Sequence, residues 1–139
     1  MTNIKLVKDY RLRARGRRKA VQALFEEKLY ADVVRECQEA SELALKSLIR
    51  EAGHSVPMTH EVSGKLMEIK SDLPEIVLPH LKRLCEISKN LRRDRELAFY
   101  GSEDVTPSEF YEESHALQAI LDLDEALAVI ALLESQPSV

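Results

Sequence analysis

The stretch 30-YADVVRECQEASELALKSLIREAG-53 decides the fold. Tyr30, Val33, Val34, Cys37, Ala40, Ser41, Ala44 and Leu48 recur in steps of three and four, the spacing that gathers side chains on one face of an α-helix. The pattern predicts a helix over about 31–52. Asp32 falls in its first turn, where a carboxylate complements the positive end of the helix dipole. Gly53 is a C-terminal stop, because glycine takes up the left-handed turn that ends many helices. The small residues Ala40, Ser41, Ala44 and Ser47 leave room for a close helical neighbour.

Working outward, the same periodicity continues on both sides. Leu6, Tyr10, Ala14, Val21, Leu24 and Phe25 predict a first helix over about 3–27, weakened in its middle by Gly16. Past Gly53, residues 54–58 read as a loop. Thr59 is expected to cap a short third helix with Val62, Leu66, Met67 and Ile69 turned inward. A fourth helix is expected over about 74–95, with Ile76, Val77, Leu81, Leu84, Cys85, Ile87 and Leu91 on its apolar side. Pro79 either lies in its opening turn or marks a later start. Residues 101–107 read as a loop. Thr106-Pro107 with Glu109 then resembles the start of a last helix running to about Leu133. Its broad apolar face comprises Phe110, Ala116, Leu117, Ile120, Leu121, Leu123, Ala126, Leu127, Ile130 and Leu133. No strand alternation, repeat or low-complexity tract interrupts this order. The expected fold is all-α, an antiparallel up-and-down bundle of four to five helices, forming one domain over 1–139.

Composition supports a packed, soluble chain: apolar residues are 45% and charged residues 32% of 139. No run approaches the roughly 18 apolar residues that a membrane span requires. The basic N-terminus lacks the apolar core of a secretory signal. Cys37 and Cys85 sit within helical patterns, away from other ligand-type residues, and are expected to be reduced core residues. A cytoplasmic location is therefore expected. The net charge of −4 conceals an asymmetry. Lys5, Lys8, Arg11, Arg13, Arg15, Arg17, Arg18 and Lys19 are opposed only by Asp9 in the first nineteen residues, whereas no Lys or Arg follows Arg95. Such a distribution fits either pairing of opposite ends, within the fold or across a dimer, or the binding of an anion.

The chain lacks the spacings of a phosphate-binding P-loop, a dinucleotide fingerprint, a zinc-protease helix or a paired-cysteine metal site. His54, His60, His80 and His115 are isolated from one another, so no metal site and no cofactor are expected. The least ordinary segment is 89-KNLRRDRELAFYGSED-104. Arginine clamps phosphate with two parallel hydrogen bonds, and a tyrosine offers a hydroxyl and a ring on which a base can stack. Arg93 and Arg95 are two positions apart and so point to different faces of a helix. Arg93 and Tyr100 are seven apart and share a face if the helix continues between them. The structural alternative is a set of arginines matching the negative end of a helix dipole.

The order of these pieces resembles the HEPN family of small all-helical proteins. The resemblance spans most of the chain. It covers residues 30–53 with the spacing Gln38, Glu42, Lys46, then Thr59-His60 with its amphipathic turn, then 95-RELAFYGSEDVTPSEFY-111 and the Ala-rich last helix. It implies an antiparallel, commonly dimerised helical bundle. Many members are RNases, often toxins, with a hallmark Arg followed after four to six residues by His. In one toxin branch a Tyr follows two residues later. Members often work with a small nucleotidyltransferase, which in that branch can modify the tyrosine with nucleotides. On this sequence Arg93 takes the arginine position and Tyr100 the tyrosine position, and Ala98 stands where the histidine is expected. If Arg95 is the motif arginine, its window again holds no histidine. The departure matters. Metal-independent RNA cleavage needs a proton-transfer group near neutral pH, which alanine cannot provide and tyrosine, titrating near 10, provides poorly.

Three functions follow as expectations. The first is a non-nucleolytic homodimer that binds a nucleotide or RNA through Arg93, Arg95 and Tyr100, with Tyr100 also a possible modification site and a nucleotidyltransferase as partner. Glu42, Lys46 and His60 are further cleft candidates. The second is an RNase with a non-standard acid or base, such as His60 or His115. The third is a structural adaptor. The apolar last helix and the small residues of the second are the expected dimer surfaces.

Overall fold

The computed structural model describes residues 3–59, 62–93, 100–101 and 103–137, and of Arg93 the backbone alone. Helix α1 spans Ile4–Glu26, and α2 spans Tyr30–Glu51. The side chain of Asn3 opens α1 by accepting from the Leu6 amide at 3.0 Å, and Gly16 does not interrupt it. The link from α1 to α2 is short, and Lys28 turns it with a left-handed φ of 59°. At the far end of α2 the amides of Gly53 and His54 donate to the carbonyls of Arg50 and Ile49, with Gly53 at a φ of 86°. This is the reciprocal C-terminal cap expected of a glycine there.

The next elements are shorter. Helix α3 spans Ser63–Glu68, and single 3₁₀ turns follow at Lys70–Asp72 and Leu78–His80. Val62, not Thr59, occupies the N-cap position of α3. Val62, Leu66 and Ile69 are buried as expected, but Met67 is half exposed, because six residues give too little helix to bury a wide face. Helix α4, Leu81–Arg93, starts after Pro79 rather than at residue 74. The proline belongs to the preceding 3₁₀ turn, where its missing N–H costs nothing.

The expected last helix is divided. Helix α5 is one turn, Pro107–Phe110, and α6 spans Glu113–Glu134. Thr106 and Glu109 satisfy one another's amides in a reciprocal box at the start of the first. At the start of the second the Glu112 amide donates to His115 Nδ1. Tyr111 and Glu112 are extended between them.

α1 runs antiparallel to α2, as the Arg11–Glu51 and Arg17–Glu36 pairs require. α4 runs antiparallel to α6, joined by Arg83 to Asp122 at one end and by the packing of Leu91 near Ala119 at the other. The four long helices thus alternate in direction, and no strand occurs among the described residues. The core forms two stacked clusters. One centres on Leu45, Leu48 and Ile49 of α2 with Leu66, Leu84 and Ile130. The other joins Val33, Val34 and Cys37 to Val21, Ile87 and Leu123. Ala40, Ser41, Ala44 and Ser47 are all buried inside the bundle, so they seat α1 and α6 and offer no dimer surface. α6 buries Ala116, Ala119, Leu123, Ala126 and Ile130, whereas Leu117 and Leu121, expected inside, are 46% and 58% exposed. A helix that is apolar nearly all round cannot turn every side inward. Among the described residues no helix is long and apolar enough to cross a membrane.

Candidate functional site

Arg93 is the last described residue of α4, and the backbone is described again at Tyr100, which is 78% exposed. Gly101 anchors the chain directly after Tyr100. Its φ of 76° is left-handed, and a Cβ there would meet the Val105 carbonyl and the Pro107 ring at 2.7 Å. No other residue type fits. The capped start of α5 then holds the far side of this loop. Arg95 and Ala98, the face shared by Arg93 and Tyr100, and His60 lie outside the described residues.

Beside the α4 terminus is a cavity of about 240 Å³ lined by Val34, Asn90, Leu91, Tyr111, His115, Gln118, Ala119 and Asp122. Position 93 lies three residues, or about 4.5 Å of helical rise, beyond Asn90 on the same helix. Val34, Leu91 and Ala119 form apolar wall, and the buried Tyr111 adds an aromatic one. His115 is oriented by three contacts. Its Nδ1 accepts from the Glu112 amide at 3.0 Å, its ring stacks on Phe110 at 5.4 Å, and Tyr111 meets it edge-on at 5.5 Å. A neutral ring accepting at Nδ1 carries its proton on Nε2. Asp122 is 3% exposed, and its Oδ1 accepts from Arg83 Nη2 at 2.8 Å and from Gln118 Nε2 at 2.9 Å. Among the described residues Asp122 Oδ2, Gln118 Oε1, His115 Nε2 and the Asn90 amide have no partner.

The remaining candidates lie elsewhere. Glu42 and Lys46 form an i,i+4 ion pair at 2.7 Å and line a second cavity, of about 370 Å³, with Tyr10, Arg13, Arg50 and the 56–58 loop. Both are eight or more residues along α2 from Val34, so about 12–18 Å of axial rise separates them from the wall that Val34 gives the first cavity, which neither of them lines. Much of the basic first helix is matched within the fold: Arg11 with Glu51, Arg17 with Glu36, Arg15 with Glu134 and Arg18 with Asp124. The hydrogen bonds to Glu134 and Asp124 raise the pKa values of Arg15 and Arg18. The hydrogen bond to Glu125, and then that to Asp122, raises that of Arg83, and the same contact holds Glu125 below the usual carboxylate range. Both cysteines are buried, and desolvation pushes the Cys37 thiol up to about 12. No cluster of metal-ligating residues occurs among the described residues.

Asn90, Gln118 and Asp122 escaped the reading of the sequence. Asp122 had a signal: it lies three after Ala119 on the inward face of α6, so an acid at that position is buried. Asn90 and Gln118 had none, being polar residues on otherwise solvated helix faces. Comparison with known proteins agrees with the helical architecture: the HEPN domain matches residues 7–133, nearly the whole chain. No curated protein and no solved structure matches the chain.

Proposed function

The chain belongs to the HEPN family, and from that premise we propose that it is a non-nucleolytic binding protein for a nucleotide or RNA. Arg93 and Arg95 hold phosphate, and Tyr100 stacks on a base or accepts a nucleotide from a nucleotidyltransferase partner. The observation that carries this reading is an exposed tyrosine, fixed by Gly101, at the spacing from Arg93 that the family uses, with alanine at the histidine position between them. Phosphate grip and stacking survive that replacement. Proton transfer at the RNA 2′-hydroxyl does not. A homodimer is part of the proposal. Leu117, Leu121 and Leu132 are exposed along one stripe of α6 with Ala128 between them, and a second copy is the partner that would cover them. The test is binding of nucleoside monophosphates and single-stranded RNA, with mass measurement after incubation with a nucleotidyltransferase and nucleoside triphosphate. Binding without cleavage supports the proposal. Absence of nucleotide binding, RNA binding and partner association together rejects it.

A second reading, an RNase with a displaced acid or base, is favoured by His115. Its Nε2 has no partner among the described residues, and its cavity is lined by Asn90 and Leu91 of the helix that carries Arg93. RNA cleavage that disappears in His115→Ala would select it over the first.

A further inference from the structure

We infer that the cavity between the α4 terminus and α6 is a recognition subsite for a single nucleobase bearing an exocyclic amino group. The inference rests on the nucleotide- or RNA-binding reading and names what that site discriminates. Three observations carry it. First, size: about 240 Å³ is below the roughly 300–1,000 Å³ of sites that enclose a drug-sized ligand, so one ring system fits and a whole nucleotide does not. The ribose and phosphate must remain outside, toward the α4 end where Arg92 is exposed and position 93 follows. Second, the wall chemistry: a buried tyrosine and the side chains of Leu91 and Ala119 suit the faces of a flat heterocycle. Third, the polar rim: Asp122 Oδ2 and Gln118 Oε1 are acceptors without partners among the described residues, whereas His115 Nε2 is the donor.

The carboxylate decides the specificity. Asp122 is more than nine-tenths buried, and Arg83 and Gln118 occupy only its Oδ1. Its other oxygen accepts only, so it welcomes an N–H and repels a carbonyl oxygen. Cytosine and uracil share a ring and differ at C4, an amino group against a carbonyl. A carboxylate accepts from the cytosine amino group. A uracil oxygen facing the same carboxylate loses that hydrogen bond and leaves a buried acceptor unmatched.

The experiment compares CMP with UMP, and oligo(C) with oligo(U), by calorimetry and by fluorescence anisotropy on the full chain. The monophosphates report on a free nucleotide, and the oligomers on a residue of an RNA strand. CMP or oligo(C) is expected to bind at least about tenfold more tightly than its uracil counterpart, the scale of one hydrogen bond to a charged group. Asp122→Asn presents a donor in place of an acceptor and should abolish or invert the preference. Because Asp122 also holds Arg83, Asn90→Leu is the second variant. It fills the rim from an exposed position and should remove the preference while circular dichroism stays unchanged. Equal binding of cytosine and uracil ligands, unaltered by either variant, overturns the subsite and leaves the Arg93/Tyr100 reading standing. Failure of every nucleotide and oligomer to bind overturns both.

Discussion

Arg11 offers a test of how this bundle tolerates charge in its interior. Its side chain is 7% exposed between α1 and α2, with Nε donating to Ser47 Oγ at 3.0 Å and Nη2 to Glu51 at 2.9 Å. Glu51 is 31% exposed, so the two partners are unequally solvated. Removing one partner of a buried pair costs about 3–5 kcal/mol, because the other charge stays desolvated. Glu51→Ala strands the buried guanidinium on Ser47 alone. With the pair at the bundle edge, a cost of about 2–3 kcal/mol follows. Arg11→Met keeps an unbranched stem in the same space and leaves behind a carboxylate that water reaches. Ser47 retains its hydrogen bond to the Ala44 carbonyl at 2.6 Å. That substitution should cost no more than about 1 kcal/mol, since apolar replacement of buried ion pairs is often neutral. Urea unfolding followed by circular dichroism at 222 nm measures both. With a slope of about 2 kcal/mol per molar urea, Glu51→Ala lowers the midpoint by about 1 M or more and Arg11→Met by less than half of that. Equal shifts, or a larger loss for Arg11→Met, would refute the reasoning.

Other expectations concern acid–base behaviour and assembly. The Cys37 thiol is held protonated up to about 12 by burial, against an ordinary value of 9.0, so the folded state binds a proton that the unfolded state releases. Its contribution is fully present below pH 9 and is lost as pH rises toward 12. It amounts to about 4 kcal/mol at the upper limit, and Cys37→Ala should flatten the alkaline fall of the urea midpoint; an identical pH profile in the variant contradicts this. In the folded protein at pH 8 neither cysteine should react with a thiol reagent, and both should react in denaturant. Leu121→Glu, on the exposed stripe of α6, should convert a particle of twice 15.8 kDa into one of 15.8 kDa by light scattering with no loss of helix. A wild-type monomer at micromolar concentration rejects the dimer.

The fold was legible where periodicity was clean. α2 was readable from its three-four spacing, and its end from Gly53, because one strong face and one permissive residue leave little choice. The start of α4 was readable only as an alternative, since Pro79 fits either an opening turn or a boundary. The division of the last helix at Tyr111–Glu112 was not readable. Of the two helix starts that create it, only the first, at Thr106-Pro107, has a familiar sequence pattern, whereas the second is opened by a glutamate whose amide donates to a histidine ring, which is not a standard capping pair. The same limit applies to the site. Arg93 and Tyr100 stood out by type and spacing, whereas the His115 cavity draws on α2, α4 and α6 and exists only once they pack. Charge asymmetry left two explanations open, and the pairing of Arg15 and Arg18 with Glu134 and Asp124 shows that opposite ends of the chain neutralise each other within one chain.

The most direct test of the central claim is anisotropy of a labelled single-stranded RNA titrated with wild-type protein and with the Arg93→Ala/Arg95→Ala double variant, at several salt concentrations, with the RNA run afterwards on a gel. The account predicts intact RNA, binding weakened at least about tenfold in the double variant, and a salt slope smaller by about 0.7 for each phosphate that the variant no longer neutralises. Cleaved RNA, or equal affinity and equal slope for the two proteins, would contradict it.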